Sequence, residues 1–432
     1  MIETRGADRV RRATDRGERE VSLNASAPAS SALPWAPAAG ETGSAGQVLA
    51  LIRAAGALTR ADIAARTGLA RQTVGNRLDA LQAAGYVTLA STTSTARGRP
   101  PVQFRFRPDG GVLLVAEAGA TGIRAAVTDL AGAVLHDVRS ALDVTIGPRR
   151  WLAALDVVFD DLLGRAGRAA TDVRGIGLAL PGPIDFERAV VVSPPIMTGW
   201  DEYPIRSWFE GRYPCPVLVE NDANAMAVGE YRAFHTHRSS VLMLKLATGV
   251  GAGIIADGRL YRGFDGAAGD IGHIQITPPD DDGDPPLCRC GNRGCIEAYA
   301  GGWAIIRDLN AGGRAVGSVR EVVGLVSAGD PLATALSRRA GRLVGIALSD
   351  AVSLLNPGVV IVGGALSAAA NELFAGLRES VYARSLPLAT RRLEIVAARL
   401  GDGAGVSGLT TTVTDHVFDP ARVDAALARS GG

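Results

Sequence analysis

Between Gly269 and Glu297 the chain reads G-D-I-G-H, then an acidic loop, then C-R-C-G-N-R-G-C-I-E. Three of its four cysteines, Cys288, Cys290 and Cys295, fall within eight residues. Thiolates this close, with Gly291 and Gly294 letting the backbone fold tightly, point to a structural zinc site. Three sulfurs leave one tetrahedral position open, and His273 is the candidate for it. The competing readings are a disulfide and a chance grouping of free thiols. No hydrophobic core follows the N-terminal arginines, so a secretory signal is not expected, which argues against the disulfide.

This motif closely resembles the signature of the ROK family (repressors, open reading frames and sugar kinases). The resemblance implies that His273, Cys288, Cys290 and Cys295 hold zinc. It also implies that Asn221, Asp222, Asp270, His273 and Glu297 face a sugar. The family usually has Glu where this chain has Asp270, which implies a shorter or water-bridged contact. Glu220-Asn221-Asp222-Ala223-Asn224 follows an apolar run and opens a helix. In the family an Asp here is the general base toward the sugar 6-hydroxyl, so Asp222 is the catalytic residue if kinase activity remains. The bland reading of an Asp at a helix start is an N-cap.

Kinase chemistry also needs loops that cradle ATP phosphates and a carboxylate for magnesium. The family pattern Asp-x-Gly-Gly-Thr has become Glu117-Ala118-Gly119-Ala120-Thr121. The second loop, Ala247-Thr248-Gly249-Val250-Gly251, has lost its leading Gly, whereas Gly363-Gly364 is intact. Binding of ATP and magnesium is therefore not expected. On the sugar side Pro181 to Asp185 matches a family loop. Pro195-Ile196-Met197, ahead of Gly199-Trp200, lacks the family's Asn.

The 432 residues suggest more than one domain. Residues 1–43 lack periodicity and read either as a disordered leader or as an over-extended gene start. From Ser44 to Arg107 the pattern is helix, helix-turn-helix and wing. Val48, Leu49 and Ile52 share one helical face. Thr59 to Asp62 reads as a capping box opening a helix from Arg60 to Arg66. A third helix, from about Ala70 to Ala84, buries Val74, Leu78 and Leu81. It leaves Arg71, Gln72, Thr73, Asn76 and Arg77 outward, residue types that read base edges and phosphates. The wing tip carries Arg97 and Arg99 on a Gly-Pro backbone suited to a minor groove. This stretch holds nine Arg against two Asp inside a chain of net charge +1. Lys245 is the one lysine, which reads as composition bias favouring arginine.

Residues 108–432 alternate strands and helices in two similar halves. The resemblance implies the two-lobed actin-like ATPase and sugar kinase (ribonuclease H-like) fold, with a cleft near residues 219–224. The expected protein is a sugar-responsive transcriptional regulator, a homodimer or homotetramer on operator DNA. It is expected to be cytoplasmic, since no apolar run reaches bilayer length. The rival classes are an active sugar kinase with a DNA-binding head, and an interaction protein whose winged helix binds protein.

Overall fold

The computed structural model describes residues 43–90, 102–119, 122–278 and 283–430. The leader expected at residues 1–43, apart from Gly43, lies outside them.

The head begins with α1 (Ala45–Ala55), capped by the Ser44 hydroxyl, which accepts from the Gln47 N–H. A short strand, β1 (Ala57–Thr59), runs straight into α2 (Arg60–Thr67). Thr59 and Asp62 form the expected capping box: the hydroxyl takes the Asp62 N–H at 3.1 Å and the carboxylate takes the Thr59 N–H at 2.9 Å. Gly68 ends α2 in the left-handed region, where a side chain is disfavoured. Next come α3 (Arg71–Ala83), β2 (Val87–Leu89) and β3 (Gln103–Phe106). The sheet has three strands, not the two the sequence suggested: β1 pairs with the far edge of β3. Three residues are too short for alternation to betray a strand. Val48, Leu49, Ile52, Ile63, Val74, Leu78 and Leu81 are fully buried beneath this sheet.

The body is built twice over. Its first lobe holds β4 (Val112–Gly119), β5 (Gly122–Asp129), β6 (Val134–Ser140), α4 (Pro148–Arg165) and β7 (Val173–Leu180). The small hairpin β8 (Ile184–Asp185) and β9 (Val190–Val191) follows. Then come α5 (Ile205–Glu210), β10 (Val217–Asn221) and α6 (Asp222–Glu230). The main sheet runs β10-β7-β4-β5-β6, with β4 parallel to β7 and antiparallel to β5. The second lobe holds β11 (Val241–Leu246), β12 (Val250–Ala256) and β13 (Arg259–Tyr261). It continues through α7 (Ile296–Ala300), α8 (Gly302–Ala311), α9 (Val319–Ser327), α10 (Pro331–Leu355) and β14 (Val359–Gly363). After α11 (Ala370–Arg384) and α12 (Pro387–Thr390) comes β15 (Glu394–Ala397). Its sheet order, β13-β12-β11-β14-β15, repeats the pairing senses of the first. Strands β4 and β7 are almost wholly apolar because they are covered on both faces.

Two helices close the chain, α13 (Ala404–Val417) and α14 (Pro420–Ser430). Helix α13 returns to the first lobe. Gly175 and Gly177 of β7 make room for Val413: a Cβ at either would meet its side chain at 2.5 or 2.7 Å. Helix α13 also lies backbone to backbone on α6, since a Cβ at Gly408 would overlap the Ala225 carbonyl. The chain then turns at Phe418 and enters the head. Phe418 meets Phe106 edge-on at 5.1 Å and Tyr86 at 5.7 Å. The Arg53 guanidinium lies 4.6 Å from the Phe418 ring centre, a cation–π contact. The Gly46 N–H of α1 donates to Asp424 of α14 at 2.9 Å. One apolar core therefore joins Val48, Leu81 and Phe104 of the head to Leu113, Val413, Phe418 and Val423 of the body. Head and body are one packed unit, which a boundary at residue 107 does not suggest.

Among the described residues, no helix is long and apolar enough to cross a membrane.

Candidate functional site

The G-D-I-G-H turn is shaped by close backbone approach. A Cβ on Gly269 would strike the Ala252 carbonyl, and one on Gly272 the Val250 carbonyl, both in β12. Only glycine lets the loop lie flat on that strand. His273 ends the short 3₁₀ turn Ile271–His273 and projects toward the cysteines. The cysteine loop is knotted by its own backbone: the Cys288 N–H donates to the Asn292 carbonyl at 2.8 Å, and the Gly291 N–H to the Cys288 carbonyl at 3.0 Å. Gly291 (φ +94°) and Gly294 (φ +79°) supply the left-handed corners. A bridge between Gln275 and Cys295 sews the loop to the His273 segment, and one between Leu287 and Arg293 closes the loop on itself.

The result is a preformed donor cage. His273 Nδ1 lies 3.6 Å from Cys288 Sγ, and Cys290 Sγ lies 3.7 Å from Cys295 Sγ. All four ligand atoms fall within 4.8 Å of one another. A tetrahedron with Zn–S bonds of ~2.3 Å has edges of about 3.8 Å. The donor set therefore fits a four-coordinate ion, and all four cysteines of the chain are free thiols. Without metal, burial and the neighbouring Cys290 push the Cys295 thiol up to about 12. Loading the site must then expel protons as well as bind the ion.

From the cage the chain runs directly into α7, which carries Glu297. This carboxylate is already engaged: Oε2 accepts the Val250 N–H at 3.0 Å and Oε1 the Trp303 Nε1–H at 3.2 Å. Arg289 from the cysteine loop stacks over Trp303 at 4.8 Å. The cysteine loop is thereby coupled to the Ala247–Gly251 turn through one glutamate.

Asn221 and Asp222 sit at the β10–α6 junction. Asn221 is the N-cap, its Oδ1 accepting the Ala223 and Asn224 N–H groups at 2.9 and 3.2 Å. Its Nδ2 donates to the Gly182 carbonyl at 3.0 Å, joining it to the expected Pro181–Asp185 loop. Asp222 is therefore not the cap. Its side chain, 7% exposed, forms an ion pair with Lys245 of β11. Glu220 is buried and holds Arg262 at 2.6 Å, with Arg262 stacked on Phe186 at 3.9 Å.

Strand β12 gathers these groups. Helix α6 packs on its glycines, where a Cβ at Gly251 would touch Ala223 at 3.5 Å. The Asp270–His273 turn covers its other carbonyls, and Glu297 takes its first N–H. Of the five expected sugar contacts, Asp270 is exposed, His273, Asn221 and Glu297 are half-buried, and Asp222 is buried. Trp200 has another role: it is fully buried against Trp151, and its Nε1 donates to the Val144 carbonyl at 2.9 Å.

Toward the expected phosphate loops, Glu117 lies near the end of β4, beside α13. A Cβ on Gly405 would overlap its carboxylate. Burial raises its pKa from the usual carboxylate range to about 7, with Lys245 opposing. Ala120 and Thr121, on which part of the degenerate-loop reading rests, lie outside the described residues. Gly364 adopts φ +89° against the Leu246 carbonyl, keeping the third turn close to β11. Lys245 is the residue that motif reading passed over. Its signal was its singularity among 45 basic residues, which composition alone seemed to explain.

On the head, α3 presents Arg71, Gln72, Asn76 and Arg77 to solvent, with Thr73 half-buried. Gln72 Nε2 donates to Asn76 Oδ1 at 3.2 Å, which pre-orients both amides. Arg71 and Arg77 have no ion-pair partner among the described residues. Arg97 and Arg99 lie outside the described residues.

The duplicated lobes and the His-Cys₃ cage define a sugar-kinase-like body joined to a winged helix. Residues 114–416 match the ROK family model, and residues 40–98 match the MarR family. The chain belongs to the ROK family and carries a MarR-type winged helix at its head. It is 28% identical over 364 residues to a xylose repressor of Bacillus spizizenii, covering 84% of this chain and 92% of that protein. It is 32% identical over 321 residues to a glucokinase of Streptomyces coelicolor, covering 69% of this chain and 96% of the enzyme. A solved ROK family transcriptional regulator, described as a homolog of the E. coli MLC protein, superposes with a TM-score of 0.75 at 25% identity. That match covers 89% of this chain and 98% of the other. A Streptomyces griseus ROK glucokinase solved with glucose and AMPPNP gives a TM-score of 0.60 at 30% identity, covering 70% and 99%. The repressor matches extend over head and body, whereas the kinase matches cover the body alone.

Proposed function

We propose that this protein is a sugar-responsive transcriptional repressor. The observation that carries this reading is the core shared by the winged helix and the body, through Phe418 and α14. A change of lobe closure is felt along α13, because that helix lies on α6 in the cleft at one end and feeds the head at the other. The effector is an aldose or close derivative held by Asn221, Asp222, Asp270, His273 and Glu297. D-xylose and D-glucose are the first candidates, from the names of the relatives. It acts only through a difference in affinity between DNA-competent and DNA-incompetent states. The ion in the cage is zinc, which fixes the loop bearing Glu297 and orients His273 without taking part in chemistry. The protein works as a homodimer on a two-fold operator, read by the α3 helices and the Arg97 and Arg99 wings.

Fluorescence anisotropy on the DNA upstream of its own gene tests this. Specific binding should weaken steeply with salt, and one sugar should shift affinity by roughly 5- to 150-fold. Affinity unchanged by a panel of sugars and sugar phosphates would overturn the regulator reading. Turnover of ATP with a hexose at ~1–100 s⁻¹ would favour a kinase.

Gly75 adds a sharper expectation. It lies mid-way along α3 beside Asn76, and among the described residues nothing comes within 4 Å of where its Cβ would be. A mid-helix glycine costs about 1 kcal/mol relative to alanine, with no packing reason inside this chain. Close approach of DNA supplies the reason. G75A should raise the melting temperature by a few degrees and yet weaken operator binding at least ten-fold.

A further inference from the structure

Strands β11 and β14 run side by side, so the glycine turns that follow them, Ala247 to Gly249 and Gly363-Gly364, adjoin; a Cβ on Gly364 would overlap the Leu246 carbonyl. Close by, two carboxylates from different elements gather about one side chain: Val115, two residues before Glu117 on β4, shares a buried cluster with Ala225, three residues after Asp222 on α6. Asp222 comes from the first turn of α6, Glu117 from the end of β4, and Lys245 from β11. The Lys245 side chain is 18% exposed, and its ammonium is bound to Asp222. It is also the largest charge influence on Glu117. Arginine serves as the cation in every other ion pair of the described residues. A planar guanidinium is broad and fork-shaped, whereas an ammonium is a compact point charge. A site that needs a small cation between two oxygens takes lysine.

We infer that Lys245 is a tethered cation standing where a divalent metal would otherwise bridge Asp222 and Glu117, so that it keeps metal–nucleotide out of the cleft. Hard divalent ions are held by carboxylate oxygens, and phosphate oxygens reach them across glycine turns. A covalently attached charge fills the same electrostatic role at no cost in translational entropy and cannot be exchanged. The sugar then becomes the one ligand that the cleft has to bind in order to move. This deepens the repressor reading and rests on it only for that last consequence. The occupancy claim stands on Lys245, Asp222 and Glu117 alone.

The test is Mn²⁺ binding, followed by electron paramagnetic resonance on zinc-replete, full-length protein. Wild type should take up no Mn²⁺ at this cluster. K245T should gain one site at least ten-fold tighter than any in wild type, and the K245T/D222N double variant should lose it. K245M, which keeps the volume of the stem, serves if K245T melts early; it must still gain affinity over wild type, by a smaller factor. Equal Mn²⁺ binding by wild type and K245T would overturn the inference. So would no gain in a variant whose zinc content and melting curve match wild type. Because the readout involves neither sugar nor DNA, a failed sugar response leaves this result separately readable.

Discussion

Serine at Cys295 is expected to empty the metal cage and silence the sugar response while leaving DNA binding in place. Cys295 is fully buried, its sulfur lies 3.7 Å from that of Cys290, and it immediately precedes α7. A hydroxyl is a poor zinc ligand at neutral pH, so one lost sulfur removes the tetrahedral site. Structural zinc contributes ~10–16 kcal/mol of binding free energy in small peptides that fold around it. Here the loss is capped by local opening of the loop, because the lobe has its own core of Leu242, Ile296, Val344 and Val360. A fall in melting temperature of roughly 5 °C or more is expected, together with zinc content dropping from one per chain toward zero. Glu297 would lose its fixed position on Val250 and Trp303, and with it the sugar site. The core that the head shares with the first lobe and the last two helices contains no residue of the second lobe, so operator affinity without sugar should stay within about three-fold of wild type. Metal analysis, melting curves and anisotropy with and without sugar read each part. A C295S protein with full zinc content, or with an intact sugar response, would remove the cage from the regulatory path.

Alanine at Phe418 is expected to separate sensing from DNA binding. The ring is 3% exposed and touches Tyr86 and Phe106 of the head, with Arg53 above it. Truncating a buried Phe costs about 3–5 kcal/mol. Much of that falls on the contact between head and body, because Phe418 lies where their cores merge. F418A should therefore bind sugar with near-normal affinity, as seen by thermal shift, but transmit little of it to the DNA. Its head should become more susceptible to limited proteolysis near Arg107 and Pro108. F418L, which restores apolar volume without the edge-on ring contacts, should recover most of the coupling. An F418A protein whose operator affinity still responds fully to sugar would show that the signal travels another way.

Much of the site was legible in advance because its chemistry is local. The His-Cys₃ motif reports itself through residue types that have few other reasons to cluster. The glycines at 269, 272, 291 and 294 report backbone geometry that other residues adopt with difficulty. The helices of the head were legible through caps and periodicity, and the long strands through apolar runs. What stayed hidden was pairing across long stretches of chain. Nothing in the spacing said that Asn221, and not Asp222, would cap α6, or that Asp222 would be met by a lysine 23 residues on.

The sequence by itself determined which residues can bind an ion, which face of α3 is polar, and where the duplicated strands begin. These follow from covalent geometry and short-range periodicity. Only the tertiary structure decided that α13 lies against α6, that Phe418 belongs to the head's core, and that Lys245 pairs with Asp222. Such contacts depend on which surfaces remain after each lobe has buried its own apolar faces, and that remainder is a property of the packed whole.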